Sequence, residues 1–156
     1  MSGIDAFQQL IKTVTDEIGE RPLNSDLQAL LNERFPVGGD TYEQLAQACR
    51  QGREEGWMCQ YEHGGLRYGR VIKPGPALNG FSVDVVDMQD IAGPHHQHPN
   101  GEIDLIMPLE SDARFDNHPA GWLVYGPGSQ HSPTVTQGRA LVLYLLPEGK
   151  IDFTRN

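Results

Sequence analysis

The sequence predicts a mainly β protein, a small barrel or sandwich, with a helical N-terminal extension. Three observations carry that reading. Apolar residues recur at helical three- and four-residue spacing in the first third only. After Trp57 the apolar runs become short and are separated by Gly/Pro turns, about every eight to twelve residues, as in sandwiches and barrels. The 18 glycines and 11 prolines also exceed what a helical bundle tolerates. A length of 156 residues favours a single domain. We divide it into a helical segment, 1–56, packed on a β-barrel, 57–156.

Ile4, Phe7, Leu10, Ile11, Val14 and Ile18 share one face of a first helix. Ser2 with Asp5 forms its capping arrangement, and Gly19 and Pro22 mark its stop. A second helix starts near Asn24 or Ser25, where Ser25 and Gln28 have capping-box spacing, and turns Leu27, Leu30, Leu31 and Phe35 inward. A third begins at Asp40 or Thr41, buries Tyr42, Leu45, Ala46 and Cys49, and ends at Gly52 and Gly56. Residues 58–61 and 66–72 flank the turn 62–65 and read as a hairpin. Phe81, Val83 and Val85 alternate with polar residues on a further strand. Short strands are expected over 102–109, 121–125, 131–135 and 140–146.

Twelve Lys and Arg against 21 Asp and Glu leave a net charge of −9, which argues against nucleic acid or an anionic membrane as partner. No stretch approaches the ~18 apolar residues of a membrane helix. The first residues lack the basic-then-apolar pattern of a secretory signal. Cys49 and Cys59 fit neither a disulfide framework nor a zinc-ribbon spacing and read as core and strand residues. The expectation is a cytoplasmic protein.

Five of the six histidines fall between positions 95 and 131. In a strand, alternate side chains share a face, so His96 and His98 project together, and the turn Pro99-Asn100-Gly101 returns the chain at Glu102. Two imidazoles and a carboxylate suit a first-row divalent metal with open coordination positions. His131, after the tight turn 126–130, is placed to add a fourth ligand from a neighbouring antiparallel strand. Such a set suits zinc, iron, manganese, nickel or cobalt, so the expected cofactor is one divalent transition metal ion. By parity His95 faces away, as a surface or supporting residue. His118 reads as a turn residue and His63 as solvated.

The pattern His96-x-His98-x-x-x-Glu102, followed by a Pro-Gly-Ser-x-His turn ending at His131, resembles the two metal-binding motifs of the cupin superfamily. Gly126 stands where that family usually has proline, and the asparagine often found after the last histidine is absent. The resemblance implies a single cupin-type (jelly-roll) β-barrel over 57–156. A narrower likeness spans most of the chain. It rests on the helical N-terminal segment, Gly101-Glu102-Ile103-Asp104-Leu105-Ile106-Met107-Pro108, Pro119-Ala120-Gly121-Trp122, and the segments 128–131, 133–136 and 138–147. Together these are similar to the bacterial 4-hydroxylaminobenzoate lyases of nitrobenzoate degradation.

That likeness implies a metal-dependent lyase that converts 4-hydroxylaminobenzoate to 3,4-dihydroxybenzoate (protocatechuate) and ammonia. Substrate plus one water contains the atoms of product plus one ammonia. The oxidising equivalent therefore lies in the N–O bond, and a redox-inert Lewis acid suffices. Glu102 and Asp104 are the expected catalytic residues, Asp104 because it shares the strand face of Glu102 and can move a proton. Asp104 also reads as an inward polar residue satisfied by hydrogen bonds. The substrate carboxylate calls for an arginine. Arg67 and Arg70 lie on opposite strand faces, Tyr68 shares the face of Arg70 and favours it, and Arg139 stays open. Tyr125 and Trp122, on opposite faces, are candidates to stack on the ring. The same ligands suit a cupin dioxygenase or isomerase acting on a small organic acid, and a non-catalytic ligand-binding cupin also fits. The absence of a DNA-binding helix or basic face argues against a regulator. Pairing as a homodimer through sheet edges stays open, since the N-terminal helices could cover or bridge such an edge.

Overall fold

The computed structural model describes residues 3–154. Its chain runs through α1 (Gly3–Ile18), α2 (Ser25–Arg34) and α3 (Asp40–Glu55) before the first strand. Phe7, Ile11, Val14 and Ile18 line the buried face of α1, as the spacing predicts. Ser2, expected to cap it, lies outside the described residues. The cap of α2 differs from expectation. Asn24, not Ser25, accepts from the Leu27 N–H at 3.0 Å. Gln28 cannot close a capping box because its side chain is committed to the Val124 N–H. Helix α3 passes through Gly52 and ends at Gly56 in the left-handed region. Gly52 is a packing glycine: a Cβ there would lie 2.8 Å from Met58 Cγ.

The strands are β1 (Tyr61–His63), β2 (Leu66–Ile72), β3 (Phe81–Ala92), β4 (His96–His98), β5 (Glu102–Pro108), β6 (Arg114–Phe115), β7 (Gly121–Tyr125), β8 (Ser129–His131), β9 (Thr134–Pro147) and β10 (Asp152–Phe153). Every pairing is antiparallel. The larger sheet has the order β1-β2-β3-β9-β5-β7, with β6 also on β9, and the smaller has the order β10-β4-β8. The fold is thus mainly β with three N-terminal helices, the class the sequence predicts. The single strand expected over 131–135 is two strands. Pro133 lacks the N–H that a ladder needs and falls in the break, after which β9 continues for 14 residues. Cys59, expected on a strand, sits before β1 with φ 55°.

Alternation along the central strands sends one set of side chains to the helices and the other into the barrel. Ile103, Leu105, Leu143 and Leu145 join the core beneath Phe7, Leu31 and Leu45. Ile106, Val142, Tyr144 and Leu146 join Val86, Met88 and Phe115 inside. Strand β5 is buried on both faces for this reason, and that places Glu102 and Asp104 in the barrel interior with Ile106.

Helix α2 covers the free edge of β7. The Trp122 N–H donates to Asn32 Oδ1 at 2.9 Å, and the Asn32 amide donates back to the Trp122 carbonyl at 3.0 Å. The Val124 N–H donates to Gln28 Oε1 at 2.9 Å. Side-chain amides thereby stand in for a missing strand.

A second tie joins α3 to the barrel. Arg53 donates to Asp87 at 2.8 Å, and Arg139 makes a two-pronged contact with it at 2.7 and 2.8 Å. Burial alone would raise the Asp87 carboxyl, but Arg139 and Arg53 outweigh it and hold the group below the usual carboxylate range. A depressed folded value means stability that is present above the unfolded value of about 3.9 and is lost as pH falls through the folded one. Asp87→Asn is expected to cost about 2 kcal/mol at pH 7 in chemical denaturation. That cost should shrink below about pH 4. An unchanged midpoint at pH 7 would show that the tie carries no stability. Among the described residues no helix is long and apolar enough to cross a membrane.

Candidate metal centre

The site forms where the small sheet closes over β5. His96 pairs directly with His131, and His98 with Ser129, across the β4–β8 ladder. The turn between β4 and β5 requires glycine at one point. Gly101 has φ +90°, and a Cβ there would lie 2.8 Å from the Tyr125 carbonyl oxygen and 2.7 Å from Leu23 Cδ2. Its N–H and that of Gly128 both donate to the His98 carbonyl, at 3.2 and 2.8 Å. Glu102 is thereby delivered beneath the histidines.

One donor atom from each of His96, His98, Glu102 and His131 lies within 4.8 Å of all the others. Glu102 Oε1 is 3.2 Å from His98 Nε2 and 3.6 Å from His96 Nε2, and Oε2 is 3.6 Å from His131 Nε2. His96 and His131 approach to 3.1 Å between their Nε2 atoms. Bonds of about 2.0–2.2 Å to one ion place donors roughly 3.0–3.5 Å apart. The spacing fits such an ion.

Each imidazole is oriented through its far nitrogen. His131 Nδ1 donates to Asp116 Oδ2 at 2.5 Å, and His96 Nδ1 to the Pro94 carbonyl at 3.3 Å. His98 Nδ1 donates to Ser129 Oγ at 2.9 Å, whose own proton goes to the Gly126 carbonyl at 2.6 Å. Each Nδ1 is thus engaged away from the cluster, and the Nε2 atoms of all three rings face Glu102. His98 Nε2 and both Glu102 oxygens are buried without a hydrogen-bond partner. A buried carboxylate so placed is costly unless a cation compensates it. The donor set therefore fits a divalent ion by chemistry as well as by spacing.

The electrostatics agree. Burial would raise Glu102, but the three histidines hold it well below the usual carboxylate range. Burial first, and then the charge of Glu102, push Asp104 well above that range. Burial opposes charge on His131, yet Asp116 and Glu102 prevail and raise it to about 9. Capture of a cation at His131 therefore displaces a proton.

Beside the cluster opens a cavity of about 370 Å³, bounded by His96, Tyr144, Arg70, Val86, Met88 and Phe153. Tyr68 lies at its exposed side. Arg70 is fixed on the wall by Asp84, at 2.8 and 3.3 Å, and by the Gly149 carbonyl at 3.2 Å. The two other candidate arginines are committed elsewhere, Arg67 to the Cys59 carbonyl and Arg139 to Asp87. Asp104 is fully buried beside Glu102 and does not line the cavity. Tyr125 does not line the cavity. Its hydroxyl donates to Asp116 at 2.5 Å and its ring lies 4.6 Å from that of His131. Trp122 packs on Phe35 on the helix side. His95 bonds to Thr154. His63, expected to be solvated, is exposed at the cavity mouth.

Sequence reasoning missed Asp116, which accepts from His131, Tyr125 and the Thr134 N–H. Its only local signal was a turn-like Asp-Asn pair, both members of which have positive φ. It also missed Tyr144, whose inward face follows from strand parity with Val142 and Leu146.

The model of a family described as PnbB, 4-hydroxylaminobenzoate lyase, matches residues 9–153. A 4-hydroxylaminobenzoate lyase from Nocardioides sp. (strain LMS-CY) is 34% identical over 148 residues, spanning 88% of this chain and 87% of that protein. Another from Pseudomonas putida is 28% identical over 154 residues, spanning 88% of each. Among solved structures, an RmlC-like cupin protein from Ralstonia eutropha aligns with a TM-score of 0.44 at 12% identity, covering 60% of this chain and 62% of that one.

Proposed function

The chain belongs to the 4-hydroxylaminobenzoate lyase family, and from that premise we propose that it converts 4-hydroxylaminobenzoate to 3,4-dihydroxybenzoate and ammonia. The observation that carries this reading is a buried three-histidine, one-carboxylate cluster bordering an apolar cavity with an arginine on its wall. His96, His98, Glu102 and His131 would hold a divalent ion, which would supply Lewis-acid stabilisation to an oxygen leaving the nitrogen.

The chain's own residues do the rest. Val86, Met88 and Phe153 enclose the ring. Arg70, fixed by Asp84, directs its remaining Nη1 donors at the carboxylate. Asp104 shares the strand face of Glu102 and, with its carboxyl pushed up by burial and by the charge of Glu102, can hold a proton beside the ligand set. Water adds at the ring carbon beside the nitrogen, and hydrolysis of the resulting imine releases ammonia. The buried, unpaired Cys49 and Cys59 support a reducing compartment, the cytoplasm.

Product analysis tests the reading. One ammonia and one 3,4-dihydroxybenzoate should form per substrate, and ammonia without the catechol would contradict it. Arg70→Ala is expected to lower kcat/KM by about 10- to 100-fold, mostly through KM. An unchanged KM would move carboxylate recognition elsewhere.

A further inference from the structure

Tyr144 stands at the centre of a polar row that crosses the inner face of the large sheet. Its Cα partners are Asp84 on β3 and Asp104 on β5, and Asp84 in turn pairs with Arg70 on β2. Directly paired residues share a face, with Cβ atoms about 5 Å apart. The flanking positions on the same face of β9, Val142 and Leu146, are apolar.

The tyrosine is 5% exposed, lines the cavity, and holds its ring 6.5 Å from that of His96. Among the described residues no group hydrogen-bonds its hydroxyl. A buried phenol ordinarily finds a partner, because leaving one unmade forfeits its hydration. The hydroxyl is not sealed in the wall, as the Glu102 and Asp104 oxygens are.

We propose that the Tyr144 hydroxyl hydrogen-bonds the substrate's ring substituent opposite the carboxylate, and so selects benzoates that are polar at that position. This rests on the function proposed above. Arg70 and Tyr144 lie two strand spacings apart, roughly 10 Å at the backbone. That is the scale of a para-substituted benzoate held at both ends, with the reacting substituent on the His96 side. Burial, reinforced by the surrounding carboxylates, holds the phenol well above its ordinary ionisation range, so it acts as a donor.

The test is Tyr144→Phe, which removes the hydroxyl and leaves no unpaired polar atom. Affinities of metal-loaded wild type and variant for benzoate and for 4-hydroxybenzoate are compared by calorimetry, with metal content and thermal midpoint recorded. The inference predicts that benzoate binding is unchanged, that 4-hydroxybenzoate binding weakens by about 10-fold, and that metal content and midpoint hold. It predicts a similar or larger drop in kcat/KM for 4-hydroxylaminobenzoate. Equal losses for both ligands, or none, would overturn the role of Tyr144 while leaving the proposed function standing. If wild type binds neither benzoate, both readings fall.

Discussion

Glu102→Gln is expected to yield a folded protein that has lost its hold on a divalent ion. Gln keeps the volume and burial of the side chain but removes the anionic donor that faces all three imidazoles. Losing only a supporting partner of a metal ligand costs about 10- to 100-fold in affinity. Losing the carboxylate itself should exceed that, and turnover should fall with it. Stability should behave differently. In the metal-free protein Glu102 is a fully buried carboxylate without a hydrogen bond, so its replacement removes a buried charge while Asp116 still holds His131. The metal-free thermal midpoint should therefore hold, while the rise that metal addition gives wild type should vanish in the variant. A metal-dependent rise of wild-type size would remove Glu102 from the ligand set.

Asp116→Asn probes how the cluster is held. Residue 116 has φ 48°, a conformation asparagine tolerates better than most side chains, so the exchange tests the acceptor and spares the backbone. One Asp116 oxygen accepts from both His131 Nδ1 and the Tyr125 hydroxyl, and the other from the Thr134 N–H. An amide can keep the Thr134 bond, but its NH₂ then faces two donors. The expected result is a loss of about 10- to 100-fold in metal affinity. A stability cost of about 1–3 kcal/mol should accompany it. Asp116→Glu should not restore affinity, because the longer side chain cannot keep both oxygens in place. Wild-type metal affinity in the Asn variant would show that His131 is oriented by other means.

Much of this architecture was legible because it depends on short-range periodicity. The three helices follow from apolar spacing, and the facing of His96 with His98, or of Glu102 with Asp104, follows from a strand period of two. Turn chemistry brought His131 to the right end of β8. What stayed hidden involves partners distant in the chain. The capping-box spacing at Ser25 and Gln28 was misleading, because Gln28 serves β7, 96 residues away. Asp116 carries no local mark of its bond to His131, 15 residues on. The length of β9 was obscured because Gln137 and Gly138, both with positive φ, read as a boundary although the pairing continues past them.

The most direct test is metal stoichiometry paired with reconstitution. Purified protein should carry close to one divalent transition metal ion per chain. Chelation should abolish ammonia release from 4-hydroxylaminobenzoate under anaerobic conditions, and adding the ion back should restore it in wild type but not in Glu102→Gln. Full ammonia release from chelated, metal-free protein would contradict the account.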